Sequence, residues 1–204
     1  MADSAKGKAE NSEISIKGQD VNNIQAETVS MQRGGVNKVE SKTALISQSG
    51  TGPIEAETVE LRQGGAQTIN ANTVTVRQGG VVQVKADQLS LTQGGIVFAE
   101  TQNATLTATM NGAILAGGDV TIDQSAAKAV LTRGDVTLEQ CASGLVVARN
   151  ITTGGNSNTV LMLAGRVDGE VNAVFGPRAS AVFGAAFALV FALILWLRQR
   201  FSQD

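Results

Sequence analysis

Between residues 11 and 100 the apolar positions return every 15 residues. Cut at that interval, 26–40, 41–55, 56–70, 71–85 and 86–100 align on A-x-T-V-x-L-x-Q-G-G-V-x-x-V-x. Paired glycines mark the register at Gly34-Gly35, Gly64-Gly65, Gly79-Gly80 and Gly94-Gly95, with Ser49-Gly50 in the remaining place. Segment 11–25 fits without the pair, because Ile14, Ile16, Val21 and Ile24 stand where Val29, Met31, Val36 and Val39 stand in the next unit. A fixed period of this kind marks a repeat architecture, in which each unit buries its apolar side only against its neighbours.

The spacing inside a unit says what each piece does. Val59 and Leu61 are two apart, as are Ile69 and Ala71, which is the strand period. The gap of three from Ala56 to Val59 and the gap of five across the glycines fit no straight strand and predict corners. β-branched residues dominate the inward positions, as half-buried strands favour. The glycine pair is expected to supply positive φ at the sharpest corner. Helical units are excluded, since two glycines per unit would cost roughly 2 kcal/mol in helix propensity. Stacked coils place equivalent strands in parallel, about 4.8 Å apart. Thr28, Thr43, Thr58 and Thr73 then predict one ladder, and Gln48, Gln63, Gln78 and Gln93 a second, bonded amide to amide along the axis.

Beyond 100 the pattern loosens. Gly118-Asp119-Val120 is echoed by Gly134-Asp135-Val136 after 16 residues and by Arg149-Asn150-Ile151 after 15 more. The prediction is an all-β chain: a single-stranded parallel β-helix (β-solenoid) of about ten 15-residue coils over 11–174, preceded by a polar cap or disordered segment at 1–10. Such a rod is on the order of 50 Å long.

A second pattern begins after a linker at 175–178. Residues 179–197 hold no charge, and Ser180 is their one polar residue. As a helix this stretch would span about 28 Å, close to the hydrocarbon thickness of a bilayer. It therefore predicts one C-terminal transmembrane α-helix, with Trp196, Arg198 and Arg200 as interfacial anchors and a short polar tail at 198–204. Ser180, Gly184, Ala188 and Ala192 recur every four residues and form a small-residue stripe suited to close helix association. Met1 to Asp20 lacks the apolar run of a signal peptide, so the expectation is a tail-anchored chain with a cytoplasmic solenoid.

Composition narrows the chemistry. The chain has no His and no Tyr, and Cys141 is its one cysteine, which removes the commonest acid/base group, an internal disulfide and CxxC metal sites. The formal charge of −2 is spread thinly, so no field favours nucleic acid. Before Phe175 the one aromatic residue is Phe98, in keeping with a core too narrow for rings. Gly-rich dinucleotide and P-loop patterns are absent, and no aspartate ladder follows the glycine pairs as calcium β-rolls require. Asp119, Asp123, Asp135 and Glu139 cluster at coil spacing and form the one carboxylate set with acid/base potential; they read first as corner residues that accept backbone hydrogen bonds. Cys141, beside Leu138 and Ala142, reads as a packing residue. Runs such as Ala113-Ile114-Leu115, Leu145-Val146-Val147 and Leu161-Met162-Leu163 imply an outward apolar flank or a loosened core. No cofactor, metal or small-molecule substrate is predicted.

The G-D-V and G-x-V elements of Gly134-Asp135-Val136 through Gly165-Arg166-Val167-Asp168-Gly169-Glu170-Val171 resemble bactofilins, the bacterial polymer-forming cytoskeletal scaffolds. Those are β-helical domains of short Gly- and Val-rich coils with membrane-association elements. The repeat of 26–100 and the C-terminal position of the apolar span depart from that family. The resemblance implies end-to-end stacking into filaments without a nucleotide.

The expected function is that of a non-enzymatic scaffold, held at a membrane, that self-associates or recruits partners. The alternative is an accessory subunit of a membrane protein complex, bound through the Ser180–Ala192 stripe. A solenoid enzyme acting on saccharide, or an ice- or ligand-binding surface, ranks third.

Overall fold

The computed structural model of the chain describes residues 13–169 and 172–173. The segment 1–10, the linker 175–178, the apolar span 179–197 with its stripe, and the anchors Trp196, Arg198 and Arg200 lie outside the described residues. The description is all-β. Ten strands run in chain order: β1 (Glu13–Lys17), β2 (Val21–Glu55), β3 (Thr58–Arg62), β4 (Gly65–Ala116), β5 (Val120–Asp123), β6 (Ala126–Thr132), β7 (Asp135–Glu139), β8 (Ala142–Gly154), β9 (Asn158–Gly169) and β10 (Asn172–Ala173). β2 and β4 are long because pairing with the neighbouring coils continues through the corners, at Arg33 and Gln48 in β2 and at Gln78, Gln93 and Ala108 in β4. All pairings are parallel and join each coil to the next, so the chain is a β-solenoid of about ten turns.

The register follows the repeat. Thr43 lies beside Thr58 and Thr58 beside Thr73. Val120 lies beside Val136, and Val136 beside Ile151, which is the 16-then-15 step legible in the sequence. Inward positions form columns at zero or near-zero exposure, as in Val29, Ala44, Val59 and Val74, or Met31, Ile46, Leu61 and Val76. Each fully buried Val, Leu or Ile contributes roughly 1.5–3 kcal/mol relative to exposure. That stabilisation is shared between adjacent coils.

The sharp corners differ from expectation in an informative way. Positive φ falls on the residue before the glycine pair: Arg33 (54°), Gln48 (52°), Gln63 (50°), Gln78 (56°) and Gln93 (55°). Gly18, Ala108, Gln124, Gln140 and Asn156 continue the series, spaced 15 apart as far as Ala108 and 16 apart from there. The paired glycines themselves keep negative or extended φ. Their need is steric. A Cβ on Gly34, Gly64 or Gly94 would run into the backbone carbonyl of Gln19, Ser49 or Gly79 in the preceding coil, and one on Gly79 would lie 2.5 Å from the carbonyl oxygen of Gly64. The first glycine of each pair thus lets one coil approach the next. The second is looser in the middle coils, where a Cβ on Gly65 or Gly80 would meet only a carbonyl oxygen at 3.5 or 3.9 Å, but not at Gly95, where it would lie 2.8 Å from Met110 O.

The change to 16 residues is made at Gly117-Gly118-Asp119. Gly118 N–H still donates to Gln102 O at 2.7 Å, whereas Thr105 already lies beside Thr121. A residue is dropped before Asn150, which pairs with Asp135, and restored at Gly155, so that Ala142 pairs with Asn158.

Candidate functional site

The Gln ladder occupies the sharp corner. Gln48 Nε2 donates to Gln63 Oε1 at 3.1 Å, Gln63 to Gln78 at 3.0 Å, and Gln78 to Gln93 at 3.0 Å. The backbone in the left-handed region turns each side chain outward along one edge, and identical residues at identical corners leave the amides one coil apart. Arg62 and Arg77 pair with each other one position before the ladder, and Arg62 Nη2 sits 2.6 Å from Glu60. The result is an open polar groove lined by amides, guanidinium groups and the hydroxyls of Ser47 and Thr92, with no carboxylate among its lining residues.

The four carboxylates fall into two columns on one face. Asp123 lies beside Glu139 at the end of β5 and β7. Asp119 immediately precedes β5 and Asp135 opens β7, roughly 13 Å away at four residues' rise. Asp119 Oδ1 accepts the backbone N–H of Asp135 at 2.9 Å, Asn103 Oδ1 accepts that of Asp119 at 2.9 Å, and Asp135 Oδ1 accepts Asn150 Nδ2 at 2.8 Å. The column Asn103, Asp119, Asp135 and Asn150 therefore takes up backbone donors and side-chain amides at the corner. Among the described residues no group of three or more His, Cys, Asp or Glu side chains is placed to hold a metal ion.

Cys141 belongs to a buried polar column that sequence inspection missed. Thr109, Ser125, Cys141 and Ser157 each follow a sharp corner, and each is at most 5% exposed. Ser125 Oγ donates to Asp123 O at 2.6 Å and accepts Thr109 N–H at 2.9 Å and Thr109 Oγ1–H at 3.0 Å. Cys141 Sγ donates to Ser157 Oγ at 3.8 Å, and Ser157 Oγ bonds Gly154 O at 2.8 Å. Burial pushes the Cys141 thiol up from its ordinary pKa, partly offset by the hydrogen bond to Ser157. A raised, buried thiol is a poor nucleophile, in agreement with a packing role.

The apolar runs resolve into alternation. Ile114, Val130 and Val146 point inward and are buried. Their neighbours point outward in two columns: Leu115, Leu131, Val147 and Leu163, and Ala113, Ala129, Leu145 and Leu161. Leu115 is 39% exposed, Leu131 37%, Leu161 46% and Leu163 53%. In earlier coils the same face carries charge, with Lys38 Nζ 2.6 Å from Glu40 and Lys85 Nζ 3.5 Å from Glu100. The excess of apolar residues is thus an outward flank, confined to the C-terminal half of the rod. No helix among the described residues is long and apolar enough to cross a membrane.

Comparison with protein-family models, with curated proteins and with solved structures finds no match.

Proposed function

We propose that this chain is a non-enzymatic scaffold: a stiff β-solenoid rod held at a membrane by residues 179–197, which self-associates or recruits membrane partners. The observation that carries the reading is the pairing of one continuous solenoid with one uncharged 19-residue stretch close behind it in sequence. A rod of stacked parallel coils is stiff and presents repeated chemical ladders, which suits display and spacing better than catalysis. The committed state of Asp119 and Asp135 and the buried, raised thiol of Cys141 support a structural role for the residues with most chemical potential. Kinship with bactofilin-like scaffolds is part of this proposal. It rests on the shared coarse architecture and the G-D-V elements, and it implies end-to-end stacking of rods.

The test is to purify the full chain in mild detergent, measure its mass, and identify what co-purifies after brief crosslinking in its host membrane. Oligomers or a reproducible membrane partner are expected. A strict monomer that captures nothing would remove the scaffold reading.

A further inference from the structure

The acidic residues of the last four coils are confined to one face. The outward flank and its borders comprise 111–117, 127–133, 143–149 and 159–165 in the register of β4, β6, β8 and β9. Those segments contain Lys128, Arg133 and Arg149 and no acidic residue. All three basic residues are exposed. Lys128 stands at one border of the apolar columns, one residue before Ala129. Arg133 and Arg149 stand at the other, two residues after Leu131 and Val147. The acidic residues of the same coils, Asp119, Asp123, Asp135, Glu139 and Asp168, are on the neighbouring face, where the cation Arg166 is paired with Asp168 at 2.8 Å. An apolar strip bordered on both sides by cations, with the anions segregated elsewhere, has the polarity of a surface that enters the interface of an anionic bilayer: leucines reach the acyl boundary while Lys and Arg lie at headgroup level.

The chain's course brings this strip to a membrane. It rests on the anchoring reading above. The described residues end at Ala173, in the coil after β9, and the apolar span begins at Ala179. The five residues 174–178 reach at most about 17 Å when extended. The four coils that bear the strip occupy roughly 15–20 Å of the rod, so these coils, and not the charged N-terminal ones, are tethered within reach of the bilayer. We propose that the Leu115–Leu163 strip with its Lys128, Arg133 and Arg149 border is a docking face for anionic lipid, which lays the C-terminal half of the rod against the membrane.

The full chain is reconstituted in vesicles of phosphatidylcholine alone or with phosphatidylserine added. A Cys141→Ser background carries one environment-sensitive label, at Leu131→Cys on the strip or at Thr121→Cys on the acidic face. Both positions are outward, so neither label disturbs the core. Flotation reports anchoring, and quenching by lipids brominated along their acyl chains reports docking. Quenching at position 131 but not at 121, stronger with phosphatidylserine, is expected. Changing Lys128, Arg133 and Arg149 together to Gln should lower the docked-to-undocked ratio by roughly a hundredfold, about fivefold per cation, with flotation unchanged. Chains that float with neither label quenched would overturn the docking face and leave the anchor standing. Chains that do not float would overturn both. Disulfide formation between two unlabelled Leu131→Cys copies on addition of a mild oxidant, with no lipid quenching of the labelled chain, would overturn the lipid assignment in favour of a second copy on the strip.

Discussion

Gln63 donates its side-chain amide to Gln78 at 3.0 Å while both residues hold positive φ, at 50° and 56°. A left-handed backbone is unusual for a residue with a Cβ and costs about 1 kcal/mol or more. It is tolerated here because the coil above and the coil below make the same turn, and the amides bond along the column. Gln78→Val should destabilise the rod by about 1–3 kcal/mol, since β-branching makes the left-handed corner worse and the ladder is cut. Gln78→Asn should cost less, because Asn tolerates this backbone. Thermal melting followed by circular dichroism separates the two, and equal melting temperatures would show that the corner does not depend on residue type.

The glycines divide into two groups by what surrounds them. Gly94 has no room for a Cβ, with the Gly79 backbone in the way, whereas Gly50 and Gly155 have nothing within 4 Å and no positive φ. Gly94→Ala should therefore cost about 2–4 kcal/mol through forced separation of two coils. Gly50→Ala should be neutral or stabilising by about 0.5 kcal/mol, through lost freedom of the unfolded chain. Equal effects of the two in a chemical unfolding series would contradict the close coil approach.

Cys141 should resist alkylation in the folded chain and react fully once unfolded, because it is 4% exposed and bonded to Ser157. Its folded pKa is raised, so the unfolded thiol loses its proton first as pH rises. The stability tied to this group is whole below the ordinary thiol pKa and declines as pH climbs from there toward the raised folded value. Cys141→Ser should flatten that decline while keeping the fold, since Ser125 and Ser157 already occupy the column. A thiol that reacts at the same rate before and after unfolding would contradict its place in the core.

Asp119 is expected to matter through hydrogen bonding and not through proton transfer. Asp119→Asn keeps an acceptor for the Asp135 N–H and should be close to neutral, whereas Asp119→Ala removes it and should cost about 1 kcal/mol or more. Membrane recruitment should survive replacement of Asp119, Asp123 and Asp135 by Asn and Glu139 by Gln. Loss of function with the fold intact would revive a carboxylate mechanism.

Much of the fold was legible because a solenoid repeats its environment. Val120, Val136 and Ile151 share one inward position, so the same side-chain type returns at each coil and the register can be read directly. The Gln ladder was legible for the same reason, since outward identity at a fixed period has no other structural cause. The role of the paired glycines was not. The lack of space at Gly64, next to the left-handed Gln63, arises from the Ser49 carbonyl of the coil below, a through-space contact that the local sequence does not display. The Thr109, Ser125, Cys141 and Ser157 column was hidden by its mixed residue types and by the step from 15 to 16 residues. The apolar runs of the C-terminal half were visible, but only the pairing of β4, β6, β8 and β9 separates Ile114 and Val130 inside from Leu115 and Leu131 outside. The span 179–197 rests on its own hydropathy.

The tethered rod is tested most directly by extracting membranes that contain the full chain with alkaline carbonate, beside a variant carrying Leu189→Arg and Leu193→Arg. Each arginine near the middle of a span costs about 2.5–3.5 kcal/mol of insertion. The natural chain should stay with the membrane and the variant should be released, with the β-sheet signal of the solenoid equal in both. A natural chain that washes off as readily as the variant would contradict the tether and, with it, the membrane scaffold.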